Sequence, residues 1–291
     1  MTARAVLEVL ATGPLALIQD FGRPGQAAVG VSESGAADRW SFQLGARLLA
    51  QDYRAASIEI TFGGLAVRAH GEVMGVLTGA RAPARRNGVA EAYCAPFMLR
   101  DQQTLQLGQP QEGLRSYLSV RGGIDVPTVL GSRATDLLSG LGPDPLQVGD
   151  LLPVGPAPRH FPVVDVAPVP SPSAGPLTLR AILGPREDWL ADPRMLATTS
   201  WTVSSRSDRI GIRLEGRALE RHPSHAGQEL PTEGVVRGAI QIPASGEPVI
   251  FLADHPVTGG YPVAAVLTED DSDLAAQAVP GQVLRIALVR H

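Results

Sequence analysis

Short runs in which apolar and polar residues alternate dominate this chain and predict strands. Ser57-Ile58-Glu59-Ile60-Thr61-Phe62, Thr104-Leu105-Gln106-Leu107 and Arg115-Ser116-Tyr117-Leu118-Ser119-Val120-Arg121 are the clearest; Leu177–Leu183, Val249–Leu252 and Val283–Val289 read the same way. On this alternation Glu59 sits on the face opposite Ile58 and Ile60, where a solvated acid is the ordinary reading. Helical spacing is rare. Ala36–Ala50 carries an apolar stripe at Trp40, Leu44 and Leu48, begins after Ser34 or Gly35, and places Asp38 in its first turn, where a carboxylate suits the helix dipole. Asp270–Ala278 is a second helix, with Asp270, Asp271 and Asp273 near its start and Pro280-Gly281 beyond its stop.

The punctuation between these runs is unusually rich. Gly259-Gly260 reads as a turn with both residues free to take φ > 0, and Pro262 fixes its exit, with Asp254 and Thr258 on one side and Tyr261 on the other. Gln19-Asp20-Phe21-Gly22-Arg23-Pro24-Gly25 is an equally ornate N-terminal turn. Prolines crowd the stretch from Pro153 to Pro176, which predicts extended, solvated chain and a boundary. The expected division is a lobe over 1–155, a linker over 156–176 and a lobe over 177–291. The halves echo each other: Gly113–Gly123 against Gly246–Asp254, then Val148-Gly149-Asp150-Leu151-Leu152 against Val279-Pro280-Gly281-Gln282-Val283-Leu284. The repeated order points to duplication. Two barrel-like lobes would close their sheet edges.

Composition narrows the chemistry. Across 291 residues, 32 glycines and 25 prolines are interspersed with Val, Leu and Ile without period, which suits many short strands rather than collagen or disorder. A net charge of −4, with no basic cluster larger than Arg81–Arg86, argues against nucleic-acid or anionic-membrane partners. All 25 basic residues are arginine, so a lysine Schiff base and a P-loop lysine are excluded. The single cysteine, Cys94, is expected to be a buried structural thiol at a strand edge, not a nucleophile. Scant cysteine and the absence of a signal-like N-terminus or a long apolar run lead to a cytoplasmic expectation.

Three constellations carry candidate chemistry. Arg206, Asp208, Arg209 and Arg213 fall within eight residues, with Arg209 and Arg213 on one face of a strand over Ile212 and Leu214 on the other. Both an exposed face with Asp208 paired to an arginine and an anion clamp fit that pattern. Gln19, Asp20 and Arg23 read as an Asx-type turn with a solvated arginine or as part of a site. Gln241, Asp254, Thr258, Gly259, Gly260 and Tyr261 form the third group. No metal site is expected, because His222 and His225 have no acidic or thiol partner at ligand spacing.

Taken in order, Gln19-Asp20-x-Gly22-Arg23-x-Gly25, Ser34-Gly35-Ala36-x-Asp38, Glu59-x-x-x-Gly63-Gly64, Thr78-Gly79-Ala80, Gly122-Gly123-Ile124, Gly131-Ser132-Arg133-x-Thr135-Asp136, Ser207-Asp208-Arg209-x-Gly211-x-Arg213, Gly238-Ala239-Ile240-Gln241 and Thr258-Gly259-Gly260-Tyr261-Pro262 resemble the allophanate hydrolase subunit 2 (KipA) family from about residue 10 to 288. The resemblance implies a mainly β fold of tandem cyclophilin-like β-barrel lobes with a few covering helices. It also implies a role as the C subunit of an ATP-dependent 5-oxoprolinase, opening 5-oxo-L-proline to L-glutamate with a KipI-type B subunit and a LamB/YcsF-type A subunit. Two alternatives accompany it: a carboxyltransferase acting on a urea-like acceptor with biotin on a separate carrier, and a non-enzymatic regulator of a KipI-type kinase inhibitor.

Under the first reading ATP acts in the assembled complex, through a phosphorylated imidate. Arg206, Arg209 and Arg213 would bind anions, Asp254 and Tyr261 would make polar contacts or move protons, and Gln241 and Thr258 would orient a small lactam carboxylate. Asp254→Asn, taken as a change at an accessible turn, is then expected to leave folding within about 1 kcal/mol and to cut turnover about 100-fold. Gly260→Val is expected to fail through its φ. The chain departs from the family at Ala46-Arg47-Leu48-Leu49-Ala50-Gln51, where Asn-x-Leu-x-Gly-Asn is usual, and at a shortened 140–146 segment.

Overall fold

The computed structural model describes residues 4–170 and 175–290. They divide into two compact units: residues 4–23, 34–136 and 140–170 in the first, and 24–33, 137–139 and 175–290 in the second. The proline-rich stretch up to residue 170 therefore goes with the first unit, and two short pieces of the N-terminal half go with the second. Residues 171–174 of the expected linker lie outside the described residues.

The first unit packs a six-stranded sheet on a five-stranded one. The order is Leu151–Pro153, Val6–Thr12, Leu65–His70, Thr104–Leu107, Ala84–Arg86, Val89–Ala90 in the former and Leu15–Gln19, Ser57–Thr61, Glu112–Val120, Val73–Arg81, Phe97–Leu99 in the latter. Alternate residues of each strand point inward, so Leu7, Val9, Leu65 and Val67 meet Ile18, Ile58, Ile60, Leu118 and Val120 in one apolar core. A helix, Arg39–Leu48, sits on the other face of the five-stranded sheet and buries Phe42, Leu44 and Leu48. Close approach is possible because Gly45 has no side chain: a Cβ there would lie 2.5 Å from the Ser119 hydroxyl.

That helix is shorter than its spacing predicts. Asp38 is its N-cap, accepting from Ser41 N at 2.9 Å and the Ser41 hydroxyl at 2.6 Å. The extended backbone of the cap (φ −102, ψ 90) leaves residues 36 and 37 outside the first turn, where Ala36 N donates to the Asp20 carbonyl and Ala37 N to Glu59. The later start leaves Trp40 47% exposed and off the buried stripe. At the other end Ala50 holds φ +49, the position where the family pattern has glycine, and Gln51 bridges the Val120 carbonyl and Gly122 N. The proline-rich stretch is not free chain: Arg121 donates to the Pro158 and His160 carbonyls, Arg81 to that of Val169, and Ala167 N to that of Cys94. Cys94 itself is buried in a loop, and burial pushes its thiol up.

The second unit is a closed seven-stranded barrel. Its order is Leu177–Leu183, Val263–Leu267, Ala239–Gln241, Val249–Phe251, Gly211–Glu215, Trp201–Val203, Val283–Leu288, with the last pairing in parallel back to the first. Closure leaves this sheet no free edge. Trp201 fills the interior and donates its indole N–H to the Leu196 carbonyl at 3.0 Å. The acidic helix is Glu269–Ala275, and its Asp271 turns inward to accept from Arg180 N and Nε at 2.8 and 2.6 Å. A separate two-stranded ribbon pairs Glu233–Gly234 with Thr258–Gly259.

One detail of the duplication is visible in both units. In the first, Gly149 N donates to the Val9 carbonyl and Val9 N to the Asp150 carbonyl, at 2.8 and 2.9 Å. In the second, Gly281 N donates to the Val203 carbonyl and Val203 N to the Gln282 carbonyl, at 2.8 and 3.0 Å. The same two-bond clasp fastens each closing strand. No helix among the described residues is long and apolar enough to cross a membrane.

Candidate functional site

In the first unit three of the motifs condense on one another. Gln19 ends its strand fully buried and donates through Nε2 to the Thr135 carbonyl at 2.8 Å. Asp20 makes the Asx turn its spacing predicts, accepting from Gly22 N at 2.8 Å. It also accepts from the Ser132 hydroxyl at 2.6 Å and Arg133 N at 2.7 Å. Arg23 is not solvated. It is 1% exposed, donates to the Ala134 carbonyl, and lies 3.8 Å from the Asp136 carboxylate. A buried guanidinium must find acceptors, and the 131–136 motif supplies them from both its backbone and its one acid.

Behind these loops lies a polar layer that alternation conceals. Glu59 is 1% exposed, not solvated. Its carboxylate accepts from the Tyr117 hydroxyl at 2.8 Å and Ala37 N at 2.9 Å, with Arg115 Nε 3.6 Å away. Tyr117 in turn accepts from Asp38 N at 2.8 Å. Burial, reinforced by the charges of Glu59 and Asp38, drives the Tyr117 phenol well above its ordinary value, so it stays a donor. The strand pattern holds, but the face opposite Ile58 and Ile60 is covered by a helix rather than by water. The available signal is the small, polar inner face of that helix, Ser41 and Gly45.

In the second unit the arginine motif and the Asp254 turn meet. Arg209, 1% exposed, donates from Nε and Nη2 to the two oxygens of the fully buried Asp254, each at 2.9 Å. Leu137 N adds a third donor to Asp254 at 3.1 Å. Asp254 is therefore not the accessible turn residue that the sequence suggests. Nor do the three arginines form one clamp: Arg209 turns inward, while Arg206 and Arg213 are exposed, the former 3.8 Å from Glu215. Asp208 pairs with no arginine among the described residues; it accepts from Ile210 N and Gly211 N and launches the strand.

The Gly259-Gly260 turn also works differently. Neither glycine has a positive φ. Gly259 belongs to the ribbon, and a Cβ there would lie 2.4 Å from Gln241 Nε2; at Gly260 nothing comes nearer than 3.7 Å. Gln241, 4% exposed, donates to the Tyr261 carbonyl at 3.0 Å. It supports the turn from beneath, which leaves the Thr258 and Tyr261 side chains exposed. His255, next to Asp254, donates from Nδ1 to the Pro256 carbonyl at 2.7 Å and stacks on Phe251; burial lowers its pKa. No group of three or more His, Cys, Asp or Glu among the described residues is placed to hold a metal. The buried arginines Arg23 and Arg209 are committed to carbonyl and carboxylate acceptors, so they do not fit a triphosphate cradle.

The sequence profile described as "Carboxyltransferase domain, subdomain A and B" matches residues 29–288. The C subunit of 5-oxoprolinase from Escherichia coli strain K12 is 36% identical over 284 residues, covering 95% of this chain and 89% of that protein. The urea amidolyase of Saccharomyces cerevisiae is 30% identical over 304 residues, 96% of this chain but 16% of its own length. The crystal structure of the Kluyveromyces lactis urea amidolyase superimposes with a TM-score of 0.92 at 29% identity, over 100% of this chain and 19% of that one. The chain thus spans most of the bacterial relative and under a fifth of these two fungal ones.

Proposed function

The chain belongs to the carboxyltransferase domain family (subdomains A and B), and on that premise we propose that it serves as the C subunit of an ATP-dependent 5-oxoprolinase. The reaction would open the lactam of 5-oxo-L-proline to L-glutamate. The observation that carries this reading is the 36% identity to the E. coli C subunit across nearly the whole of both sequences. Its partners would be a KipI-type B subunit and a LamB/YcsF-type A subunit, in the cytoplasm.

Within this reading the buried and exposed residues take different parts. The exposed Thr258 and Tyr261 side chains would meet the substrate, which presents one N–H donor, a carbonyl and a carboxylate. Gln241 would hold the Gly259–Tyr261 backbone in place, and the Arg209–Asp254 pair would be a positioning element rather than an acid or base in contact with substrate. Arg206 and Arg213 have the exposure to draw in a small carboxylate. ATP would be held outside this chain's buried arginines, in the assembled complex, and no step through it is assigned to this chain.

The likeness to the urea amidolyase structure favours a second reading, carboxyl transfer to a urea-like acceptor. Biotin would then sit on a separate carrier, since this chain has no lysine to bear it. Co-expression with its KipI-type and LamB/YcsF-type partners separates the two. Glutamate formation that requires both ATP and 5-oxoproline supports the first reading, whereas carboxybiotin-dependent transfer supports the second.

A further inference from the structure

The second unit contains a cavity of about 570 Å³ that none of the motifs above enters. It lies beside two short turns, Glu187–Trp189 and Pro223–His225. The two segments are tied by hydrogen bonds from His222 N to the Trp189 carbonyl at 2.8 Å and from Ala191 N to the Glu220 carbonyl at 3.0 Å. Behind them Trp189 is 7% exposed, with the His225 ring stacked on it at 4.3 Å and an angle of 3°, and with the Arg221 guanidinium 5.3 Å from its ring. Such stacking fixes one wall of the cavity.

The polar groups on the lining are of both signs. Glu187, Asp188, Arg194, His222 and His225 line the cavity together with Leu183, Leu190 and Pro193. Among the described residues neither the Glu187 carboxylate nor the Arg194 guanidinium has a hydrogen-bond or ion-pair partner, and they do not pair with each other. The histidines have assigned roles. Ser224 N donates to His222 Nδ1 at 3.3 Å, which leaves the His222 proton on Nε2 as a donor. Gln228 donates its amide N–H to the Ser224 carbonyl at 3.0 Å, so its oxygen accepts from His225 Nδ1 at 3.2 Å, and in the neutral ring His225 Nε2 is the acceptor.

We infer that this cavity is a binding site for zwitterionic α-amino acids. Glu187, Asp188 and His225 Nε2 supply acceptors for the ammonium, and Arg194 with His222 Nε2–H supplies donors for the carboxylate. Other ligand classes fit worse. A phosphate or dicarboxylate lacking an ammonium would face two acids, an apolar ligand would strip water from four or five charged or polar groups, and a metal lacks converging ligands among the described residues. The volume is within the usual range of small-ligand sites, roughly 300–1,000 Å³, so a side chain is accommodated as well. L-Glutamate is the first ligand to try; that choice rests on the proposed function, while the ligand class does not.

Isothermal titration calorimetry on the full chain with each of the common amino acids tests this, with glutarate (no ammonium) and butylamine (no carboxylate) as controls. At least one amino acid should bind saturably, with both controls at least about tenfold weaker. R194Q and E187Q should each weaken it by about tenfold, the scale of one charge-assisted contact. Circular dichroism should show both variants folded, because neither side chain has a hydrogen-bond or ion-pair partner among the described residues. The absence of saturable binding by any amino acid, or an affinity unchanged in both variants, would overturn the site. A tightest ligand other than glutamate supports the site and leaves the proposed reaction to its own test.

Discussion

The two units bury charge in different ways. In the first, Asp20 accepts from a hydroxyl and a backbone N–H of the 131–136 motif, Arg23 donates to a backbone carbonyl of the same motif, and Arg23 Nη1 lies 3.8 Å from the Asp136 carboxylate. In the second, Arg209 and Asp254 face each other as a two-bond fork at 2.9 Å, both essentially inaccessible to water. The first arrangement shares the desolvation of its charges among many weak partners and so staples loops together. The second sets two full charges face to face, so neutralising either one acts directly on a buried ion. Similar residue types, Asp and Arg in glycine-flanked motifs, thus acquire different mechanical roles.

The largest effect should come from removing the charge of that pair. Asp254→Asn is expected to cost about 3–5 kcal/mol, since Arg209 stays buried opposite a neutral amide. Asp136→Asn should cost only about 1–3 kcal/mol, because Arg23 keeps the Ala134 carbonyl. Urea denaturation of the two variants measures the difference, and equal losses, or a greater one at Asp136, would break the comparison. Distributed bonding in the first unit is sharpened by Tyr117→Phe, which strips a donor from Glu59 and an acceptor from Asp38 N. Its expected cost is again about 1–3 kcal/mol, below that of Asp254→Asn.

At the second unit's turn, Gly259→Ala should lose about 1–3 kcal/mol by pushing on Gln241. Gly260→Ala should stay within about 0.5 kcal/mol of the parent, as at other open positions. Thermal unfolding of the pair checks this, and the reverse ranking would show that Gln241 does not support the turn. The smallest effect is one of pH. Burial lowers the His255 pKa, so the unfolded chain takes up a proton first as pH falls. Its stability contribution is complete above the ordinary value of about 6.5 and is lost as pH drops through the lowered folded value. The melting temperature should fall over that window, less steeply in His255→Gln; identical slopes would remove His255 from the account.

Much of the fold is legible because strands announce themselves by alternation. Leu177–Leu183 matches its predicted strand at both ends, and Ser57–Thr61 to within a residue. What alternation cannot reveal is what covers each face. Glu59 and Tyr117 sit on a polar face that a helix seals, so an acid that looks solvated is buried. That helix starts later than its spacing predicts because Asp38 caps it in an extended conformation, and the two residues before the cap are tied to Asp20 and Glu59, acceptors remote in sequence. The motifs around Arg23 and Arg209 are visible as motifs, but their burial depends on which loop closes over each. The Gly259-Gly260 pair suggests unusual φ, whereas the requirement is space for one amide, a fact only tertiary packing fixes.

The proposal that this chain serves as the C subunit of a 5-oxoprolinase is tested most directly by reconstitution. The purified chain should be combined with the proposed KipI-type B and LamB/YcsF-type A subunits, and glutamate release followed with ATP and 5-oxo-L-proline present together and singly. The account predicts glutamate only when all three proteins and both small molecules are present. A properly assembled mixture that forms no glutamate, or one that forms it equally well without this chain, would contradict it.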